Sequence, residues 1–241
     1  EYMGDADFYN VPVKILTSEK YLSDRMKDFV AGKAGTSATI KPGQTTSYES
    51  PETTHLSVID KEGNAVAVTT TLNNSYGSGT VVGGGGFLLN DEMDDFSIKP
   101  GVPNMYGAVG GEANAIVPGK RMLSSMTPTI VLKDNRPFLV VGTPGGTTIP
   151  TSVFQTILNI IEFGLSTEDA VWKPKFHHQW LPDTLNIEKG FSAETSEGLQ
   201  KMGYHIKQLN SIGRTELIKV LADGRFEAVA DNRGGDSAEG W

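Results

Sequence analysis

Glu52-Thr-Thr-His-Leu-Ser-Val-Ile-Asp60 is the stretch that decides the predicted fold, because a loop-like sequence gives way there to a strand. Residues 41–52 are rich in Pro, Gly and polar side chains, whereas residues 56–60 alternate between apolar and polar types, as in a half-buried strand. Cleavage between Glu52 and Thr53 would place a threonine at the start of a chain. That residue would carry both a hydroxyl nucleophile and an α-amine to act as its base. The stretch therefore predicts the precursor of an amidase-like enzyme, although Thr-Thr alone is commonplace.

Composition indicates an ordinary globular protein and excludes several classes of function. The 241 residues are 38% hydrophobic and 21% charged, which is enough for one large domain or two small ones. The net charge of −8 and the lack of a basic run argue against nucleic acid as a partner. The absence of cysteine excludes disulfides and thiolate chemistry. No apolar run is long enough for a membrane span, and the first residues look like the middle of a longer protein.

The residue patterns predict antiparallel hairpins that are covered by helices. One hairpin joins residues 56–60 to 65–72, and a second joins 129–133 to 138–141. Residues 31–52 are expected to be a linker. We expect helices over 17–30, 151–163, 166–172 and 192–202, and further strands over 204–209, 216–221 and 226–230. This combination predicts the α+β class, with stacked sheets and outer helices.

Two glycine-rich segments differ in their surroundings. Gly83–Gly86 lies between short apolar runs, and its simplest interpretation is a turn that uses the conformational freedom of glycine. Gly142–Thr148 lies between a buried strand and a strong helix, where backbone N–H groups can converge on a negative charge. It could form an oxyanion hole or bind a phosphate, or it could simply connect the two elements. The Gly-Lys-Ser/Thr ending of a nucleotide-binding loop is absent.

Polar residues elsewhere suggest a site for an amino acid. Asp91-Glu-Met-Asp-Asp95 is bracketed by apolar residues, which predicts partial burial, and buried carboxylates need partners such as an ammonium group. A solvated loop is the alternative, and the calcium-loop pattern is absent. Ser124 and Ser125 could bind a carboxylate or form a turn before the next strand.

The histidines favour structural roles. His177 and His178 are adjacent, so they project to different sides of any regular element and do not favour a shared metal ion. His205 lies in a strand pattern and is expected to be structural. No Gly-x-Ser-x-Gly elbow supports a Ser-His-Asp hydrolase. We expect neither a metal nor a cofactor.

Several segments in combination resemble the γ-glutamyltranspeptidase family of N-terminal-nucleophile hydrolases. The likeness spans essentially the whole chain. It implies a four-layer αββα sandwich with mostly antiparallel sheets. It also implies that residues 1–52 are the end of a large subunit, including the linker to the cleavage site, and that residues 53–241 are a complete small, catalytic subunit. The segments that carry the resemblance are Thr53–Val58, Gly63–Val68, Asn90–Ser97, Lys99–Asn104, Leu123–Thr129, Pro144–Gly146 and Phe176–Pro182.

The resemblance assigns roles to individual residues. Thr53, exposed by autocatalytic cleavage after Glu52, would attack a γ-glutamyl amide with its α-amine as base. Thr71 would support this nucleophile. The remaining matches are Gly145 and Gly146 for the oxyanion hole, Asn73, Glu92 and Asp95 for the substrate α-ammonium group, Ser124 and Ser125 for its α-carboxylate, and Tyr106 within a lid loop at residues 100–111.

The leading hypothesis is thus a γ-glutamyltransferase/hydrolase acting on glutathione or related γ-glutamyl amides, with water, an amino acid or a peptide as acceptor. The alternatives are a cephalosporin acylase or a poly-γ-glutamate hydrolase on the same fold, or an uncleaved and inactive homologue. The implied partner is the rest of the large subunit, which would contribute an arginine for the α-carboxylate. The implied location is the periplasm or the cell exterior. We assign no chemical role to Gly83–Gly86.

Overall fold

The computed structural model describes residues 2–40, 53–105 and 107–240 of the chain. Glu52 and Tyr106 lie outside this part. The strands are β1 (Thr54–Ile59), β2 (Ala65–Thr70), β3 (Thr129–Lys133), β4 (Arg136–Gly142), β5 (Phe176–His177), β6 (Leu185–Glu188), β7 (Ile206–Leu209), β8 (Glu216–Val220) and β9 (Phe226–Val229). The α-helices are α1 (Val13–Leu16), α2 (Glu19–Arg25), α3 (Ile149–Ile161), α4 (Thr167–Trp172) and α5 (Ala193–Lys201). Helices and mainly antiparallel sheets confirm the predicted α+β class.

Both predicted hairpins are present. The strands β1 and β2 pair antiparallel, with Thr54 opposite Thr70 and Ile59 opposite Ala65. The strands β3 and β4 are joined by Asp134 and Asn135, which both have positive φ angles, as the preferred two-residue hairpin turn requires. These two strands continue into a four-stranded antiparallel sheet in the order β3-β4-β8-β9.

Three layers are stacked in this part of the chain. The hairpin β1–β2 contacts β4 and β8 on one face of the four-stranded sheet. Helices α3 and α4 cover the other face and form the main core with it. Each fully buried aliphatic side chain there contributes roughly 1.5–3 kcal/mol to stability. The core residues are Leu139, Val141, Ile149, Val153, Ile160, Ala170, Val171 and Leu217. The layers therefore account for three of the four in the expected αββα sandwich.

The hairpin β1–β2 presents its larger apolar side chains away from the sheet. Leu56 and Val66 are 57% and 51% exposed, and Val58 and Val68 are exposed beside them. The side chain that points inward most deeply is His55, which is buried. Both faces of this hairpin are thus suited to being covered, but the described residues cover only one.

A third sheet was only partly predicted from the sequence. The strands β5 and β6 pair antiparallel, whereas β6 and β7 pair parallel and are connected through α5. The predicted strand 204–209 corresponds to β7, and Ser192 caps α5 by accepting a hydrogen bond from the Thr195 N–H. Neither β5 nor β6 was predicted, because two and four residues are too few for a strand pattern to be recognised.

The helix near the start of the chain is shorter than predicted. Ser18 caps α2 as expected, but the helix ends at Arg25 rather than near Val30. The apolar residues Leu22, Met26 and Phe29 are all exposed, so no packing within the described chain sustains the helix further. None of the helices in the described residues is long and apolar enough to cross a membrane.

Candidate active site

Residues from distant parts of the sequence line one small cavity of about 20 Å³. Thr53 directly precedes β1 and Thr71 directly follows β2, and the register of this pair places them at the same end of the hairpin. Of the predicted site residues, the cavity brings together Thr53, Thr71, Asn73, Asp95, Ser124, Ser125 and Gly146, and Met126 and Ile149 complete its lining. Its volume is roughly that needed by one water molecule, so a larger ligand requires side chains to move.

The loop between β4 and α3 contributes Gly146 to the lining of this cavity, and Gly145 precedes it without lining the cavity itself. Gly145 has a φ of 141° and Gly146 a φ of 54°, values that favour glycine. The Gly145 carbonyl accepts hydrogen bonds from the N–H of Thr148 at 3.0 Å and from its Oγ1 at 2.7 Å. The Gly146 carbonyl accepts one from Ser125 Oγ at 3.0 Å. The N–H groups of both glycines make no hydrogen bond within the described part of the chain, so they remain able to bind an anion.

The acidic segment divides into carboxylates that hold the backbone of other segments and a pair of carboxyl groups, Glu92 and Asp95, that bond to each other. Asp91 and Asp94 accept hydrogen bonds from the N–H groups of Asn74 and Met105, at 3.0 and 2.8 Å. Asp95 lines the cavity and is hydrogen-bonded to Glu92. Burial, together with the hydrogen bond and negative charge of Glu92, raises the pKa of the Asp95 carboxyl to about 8. Burial also raises the pKa of Glu92. This pair holds a proton near neutral pH and would lose it to the solvent when a cation binds.

Asn73 connects the end of the hairpin to the acidic segment. It is buried and has a φ of 75°, a conformation that asparagine tolerates better than most residues. Its backbone N–H donates to Thr71 Oγ1 at 2.9 Å, and its side-chain Nδ2 donates to the Asp91 carbonyl at 3.2 Å. Asn73 therefore fixes the position of Thr71 relative to the carboxylates.

The predicted lid loop lies against the same segment. Pro103 and Val109 form an antiparallel bridge, and the Asn104 N–H donates to the Ala108 carbonyl. The Met105 N–H bond to Asp94 attaches this hairpin-like loop to the acidic residues. Tyr106 lies outside the described residues, so its predicted role in the lid stays a prediction. Glu52 also lies outside them, so the predicted cleavage between Glu52 and Thr53 stays a prediction too.

Comparison with known proteins identifies the family. A family model described as γ-glutamyltranspeptidase matches residues 1–241. The chain belongs to the γ-glutamyltranspeptidase family. It is 50% identical over 236 residues to a protein of Escherichia coli named glutathione hydrolase proenzyme. That match covers 98% of this chain but only 41% of the E. coli protein, so the chain spans less than half the length of this relative.

Solved γ-glutamyltranspeptidases have the same fold. A mutant of the Helicobacter pylori enzyme is 55% identical, with a TM-score of 0.73, and covers 75% of this chain and 100% of its own. The Pseudomonas nitroreducens enzyme in complex with L-DON is 48% identical, with a TM-score of 0.75, and covers 78% of this chain and 99% of its own.

In this γ-glutamyltranspeptidase chain, one buried residue beside the site was not predicted from the sequence. His55 bonds to Thr69 Oγ1 at 2.8 Å and to Ser57 Oγ at 3.0 Å. Burial lowers its pKa to about 4, so the ring is neutral at physiological pH. A Cβ atom at Gly142 would lie 2.0 Å from the ring, which shows that the imidazole packs on the backbone of β4. Strand alternation places His55 on the face opposite to Leu56 and Val58, but it gave no signal that this face would be the buried one.

The other histidines have structural partners. His177 is buried and bonds to Thr151 Oγ1 at 2.8 Å, which connects β5 to α3. His178 lies 3.3 Å from Asp183. Among residues 2–40, 53–105 and 107–240, no three His, Asp or Glu side chains are grouped as a metal site requires. Gly83–Gly86 forms a turn in which the Gly85 and Gly86 N–H groups donate to the Val82 carbonyl.

Proposed function

We propose that this chain is the catalytic part of a γ-glutamyltransferase/hydrolase that cleaves γ-glutamyl amides such as glutathione. The observation that carries the proposal is the convergence of Thr53, Gly146, Asp95 and the two serines around one cavity. Acyl transfer from an amino-acid-like donor needs a hydroxyl nucleophile and unused backbone N–H groups. It also needs a carboxylate for the ammonium group of the donor and hydroxyls for the carboxylate group of the donor. The glutathione hydrolase name of the E. coli relative supports the choice of donor.

In the proposed reaction, Thr53 Oγ attacks the γ-carbonyl carbon of the donor. The α-amine of Thr53, whose intrinsic pKa is about 8, accepts the hydroxyl proton and passes it to the departing amine. The oxyanion that forms is stabilised by the N–H groups of Gly145 and Gly146. Collapse gives a γ-glutamyl ester on Thr53, and water or an acceptor amine then attacks this ester and restores the hydroxyl.

The α-ammonium and α-carboxylate groups of the donor share one carbon atom and would bind to two neighbouring sets of residues. Asp95, supported by Glu92 and Asn73, would receive the α-ammonium group, and Thr71 would hold the nucleophile in place. Ser124 and Ser125 would donate to the α-carboxylate. Ser125 Oγ is engaged with the Gly146 carbonyl in this structure, so it must turn away from that carbonyl to bind the substrate.

The mechanism requires cleavage between Glu52 and Thr53, since only then is the α-amine free. The solved H. pylori and P. nitroreducens chains support such a division. Each is matched over essentially its whole length by 75% and 78% of this chain, close to the share that residues 53–241 make up. The word proenzyme in the name of the E. coli relative points the same way.

The proposed partner is the remainder of the large subunit. It would cover the exposed apolar face of the β1–β2 hairpin, formed by Leu56, Val58, Val66 and Val68, and would supply the fourth layer. It would also supply the arginine expected at the substrate carboxylate. With Tyr106 in the lid, these groups would complete the pocket. The proposed location is the periplasm or the cell exterior.

The decisive test uses the full-length protein and γ-glutamyl-p-nitroanilide, with and without a dipeptide acceptor. We expect release of p-nitroaniline, faster with the acceptor, by a protein whose smaller piece begins Thr-Thr-His-Leu. Thr53→Ala should remain one chain and release nothing. An intact wild-type chain without activity would indicate the inactive homologue. A preference for glutaryl amides, or for poly-γ-glutamate, would indicate the acylase or the polymer hydrolase instead.

A further inference from the structure

The hydroxyl of Thr143 joins two loops beneath the candidate oxyanion hole. Thr143 is fully buried. Its Oγ1 donates to the Pro144 carbonyl at 2.7 Å and accepts a hydrogen bond from the Arg214 N–H, also at 2.7 Å. One side chain thus connects the start of the glycine loop to the segment Ile212–Thr215, which directly precedes β8.

That second segment is itself held by buried charges. Glu188 Oε1 accepts a hydrogen bond from the Ile212 N–H, and Asp231 Oδ2 accepts one from the Thr215 N–H, both at 2.7 Å. Arg233 bridges the two carboxylates, with Nε 2.6 Å from Glu188 and Nη1 2.9 Å from Asp231. A buried network whose charges are paired in this way forms a rigid support.

The two loops also touch directly. A Cβ atom on Gly213 would lie 2.8 Å from Thr143 Oγ1 and 3.0 Å from Ser152 Oγ. A Cβ atom on Gly145 would lie 3.4 Å from the Gly213 Cα. The glycine loop therefore packs closely against the backbone of Gly213, whose own neighbours are the Thr143 and Ser152 hydroxyls.

Because the peptide bond is planar, a contact that fixes a carbonyl group also fixes the N–H group of the next residue. The carbonyl of residue 144 and the N–H of Gly145 belong to one planar trans unit, so they point in opposite directions. A hydrogen bond that fixes the Pro144 carbonyl therefore aims the Gly145 N–H. In the same way, the two bonds from Thr148 to the Gly145 carbonyl aim the Gly146 N–H.

We propose that Thr143 is a positioning residue that orients the Gly145 N–H, and that Thr148 does the same for Gly146. The inference rests on the proposed function only in taking these N–H groups as the oxyanion donors. Thr148 holds the Gly145 carbonyl through both its Oγ1 and its backbone N–H. The described contacts of the Pro144 carbonyl, in contrast, come from Thr143 Oγ1 alone. Loss of the hydroxyl should therefore matter more at Thr143 than at Thr148.

The test compares Thr143→Val, Thr143→Ser and Thr148→Val in the processed full-length protein. Thr143→Val should lower kcat by roughly tenfold or more, because small misplacements of catalytic groups are costly, while KM changes little. Thr143→Ser should retain most of the activity, and Thr148→Val should lose less than Thr143→Val. Thr156→Val is the matched control, since its buried hydroxyl donates to the Ser152 carbonyl within α3, away from the loop.

The outcomes separate this inference from the proposed function. An active wild type with equal kcat for Thr143→Val and Thr156→Val would overturn the positioning role alone. An inactive wild type would overturn the proposed function, and a crystal structure of Thr143→Val would then decide the inference. An unchanged 144–145 peptide plane in that crystal would contradict it, and a rotated plane would support it. If Thr143→Val does not fold, the comparison of Thr143→Ala with Thr143→Ser replaces it.

Discussion

The ionisation state of Asp95 would determine how tightly the cavity binds an amino acid at a given pH. Its pKa of about 8 means that Asp95 is mostly protonated in the free protein at neutral pH, whereas an ammonium group binds the ionised form. Binding must therefore release a proton. We expect the affinity of the processed protein for L-glutamate to rise as the pH increases from roughly 6 to 8. Calorimetry in two buffers of different ionisation enthalpy measures both the affinity and the released proton. Asp95→Asn should bind weakly and lose the trend, and pH-independent wild-type binding would contradict the assignment.

His55 predicts a second pH dependence, in stability. Burial lowers its pKa to about 4, so between that value and the ordinary pKa of about 6.5 the unfolded chain binds a proton that the folded chain does not. The contribution of His55 is therefore complete above about pH 6.5 and is lost as the pH falls, by about 1.4 kcal/mol per pH unit. Denaturant unfolding of wild type and His55→Gln should show a flatter pH profile for the variant. The exposed His205, changed to Gln, should leave the profile unaltered.

At the scale of elements, the sequence was most informative where local chemistry decides the structure. Ser166 and Ser192 cap α4 and α5 where the predicted helices begin, and the Asp134-Asn135 turn fixes its hairpin. The short strand β6 was missed because neighbouring strands, and not its own pattern, determine it. Strand alternation indicated two faces of β1 but not which face the chain itself would cover.

The candidate site also contains some features that could be predicted from the sequence and others that could not. The succession of strand, glycines and helix at residues 142–148 could be found from the sequence, because each part has a local signature. The contact between Thr143 and Arg214 could not, since it joins residues far apart in the chain through one hydroxyl and one backbone N–H. The protonated Glu92–Asp95 pair likewise depends on burial, which charge spacing alone does not reveal.

The contact between β1 and β4 predicts that one glycine substitution lowers the unfolding free energy, whereas a matched control substitution raises it. Gly142→Ala would place a Cβ 2.0 Å from the His55 ring and force the two sheets apart, which should cost about 1–3 kcal/mol in unfolding free energy. Gly198 lies inside α5 with nothing within 4 Å of a built Cβ, so Gly198→Ala should stabilise by up to about 1 kcal/mol. Denaturant midpoints of both variants measure the difference. Equal effects would show that the strand contact is looser than described.

At the scale of the whole molecule, the exposed face of the β1–β2 hairpin predicts a difference between the isolated chain and the full-length protein. Val66→Lys should hardly change the stability of residues 1–241 alone, because that side chain is 51% exposed there. In the full-length protein the same change should cost at least about 1.5 kcal/mol if the partner buries this side chain. Thermal unfolding of both forms gives the comparison. Equal small effects would show that the large subunit does not cover this face.

An ion pair holds the beginning of the chain to the part that carries the serines. Arg121 donates to Asp5 from Nε at 2.9 Å and from Nη2 at 2.6 Å, and these bonds hold the pKa of Asp5 well below its usual range. Arg121→Gln should therefore lower the melting temperature of the full-length protein, since it leaves the enclosed Asp5 carboxylate with backbone donors but without its charged partner. Lys20→Gln, which breaks the exposed pair with Asp24, should have almost no effect. A similar drop for both variants would contradict a special role for Asp5.

The conformations of Gly145 and Gly146 carry a consequence for how such a site is inherited. The groups offered to the anion belong to the main chain, so no replacement other than proline can delete them. A fully randomised library at these two codons should nevertheless return glycine under selection for turnover, most strictly at Gly145, because a φ of 141° suits glycine alone whereas a φ of 54° also admits residues such as asparagine. The function proposed for this loop thus depends on its backbone conformation, and the gene can specify that conformation only by encoding the residue that has no side chain.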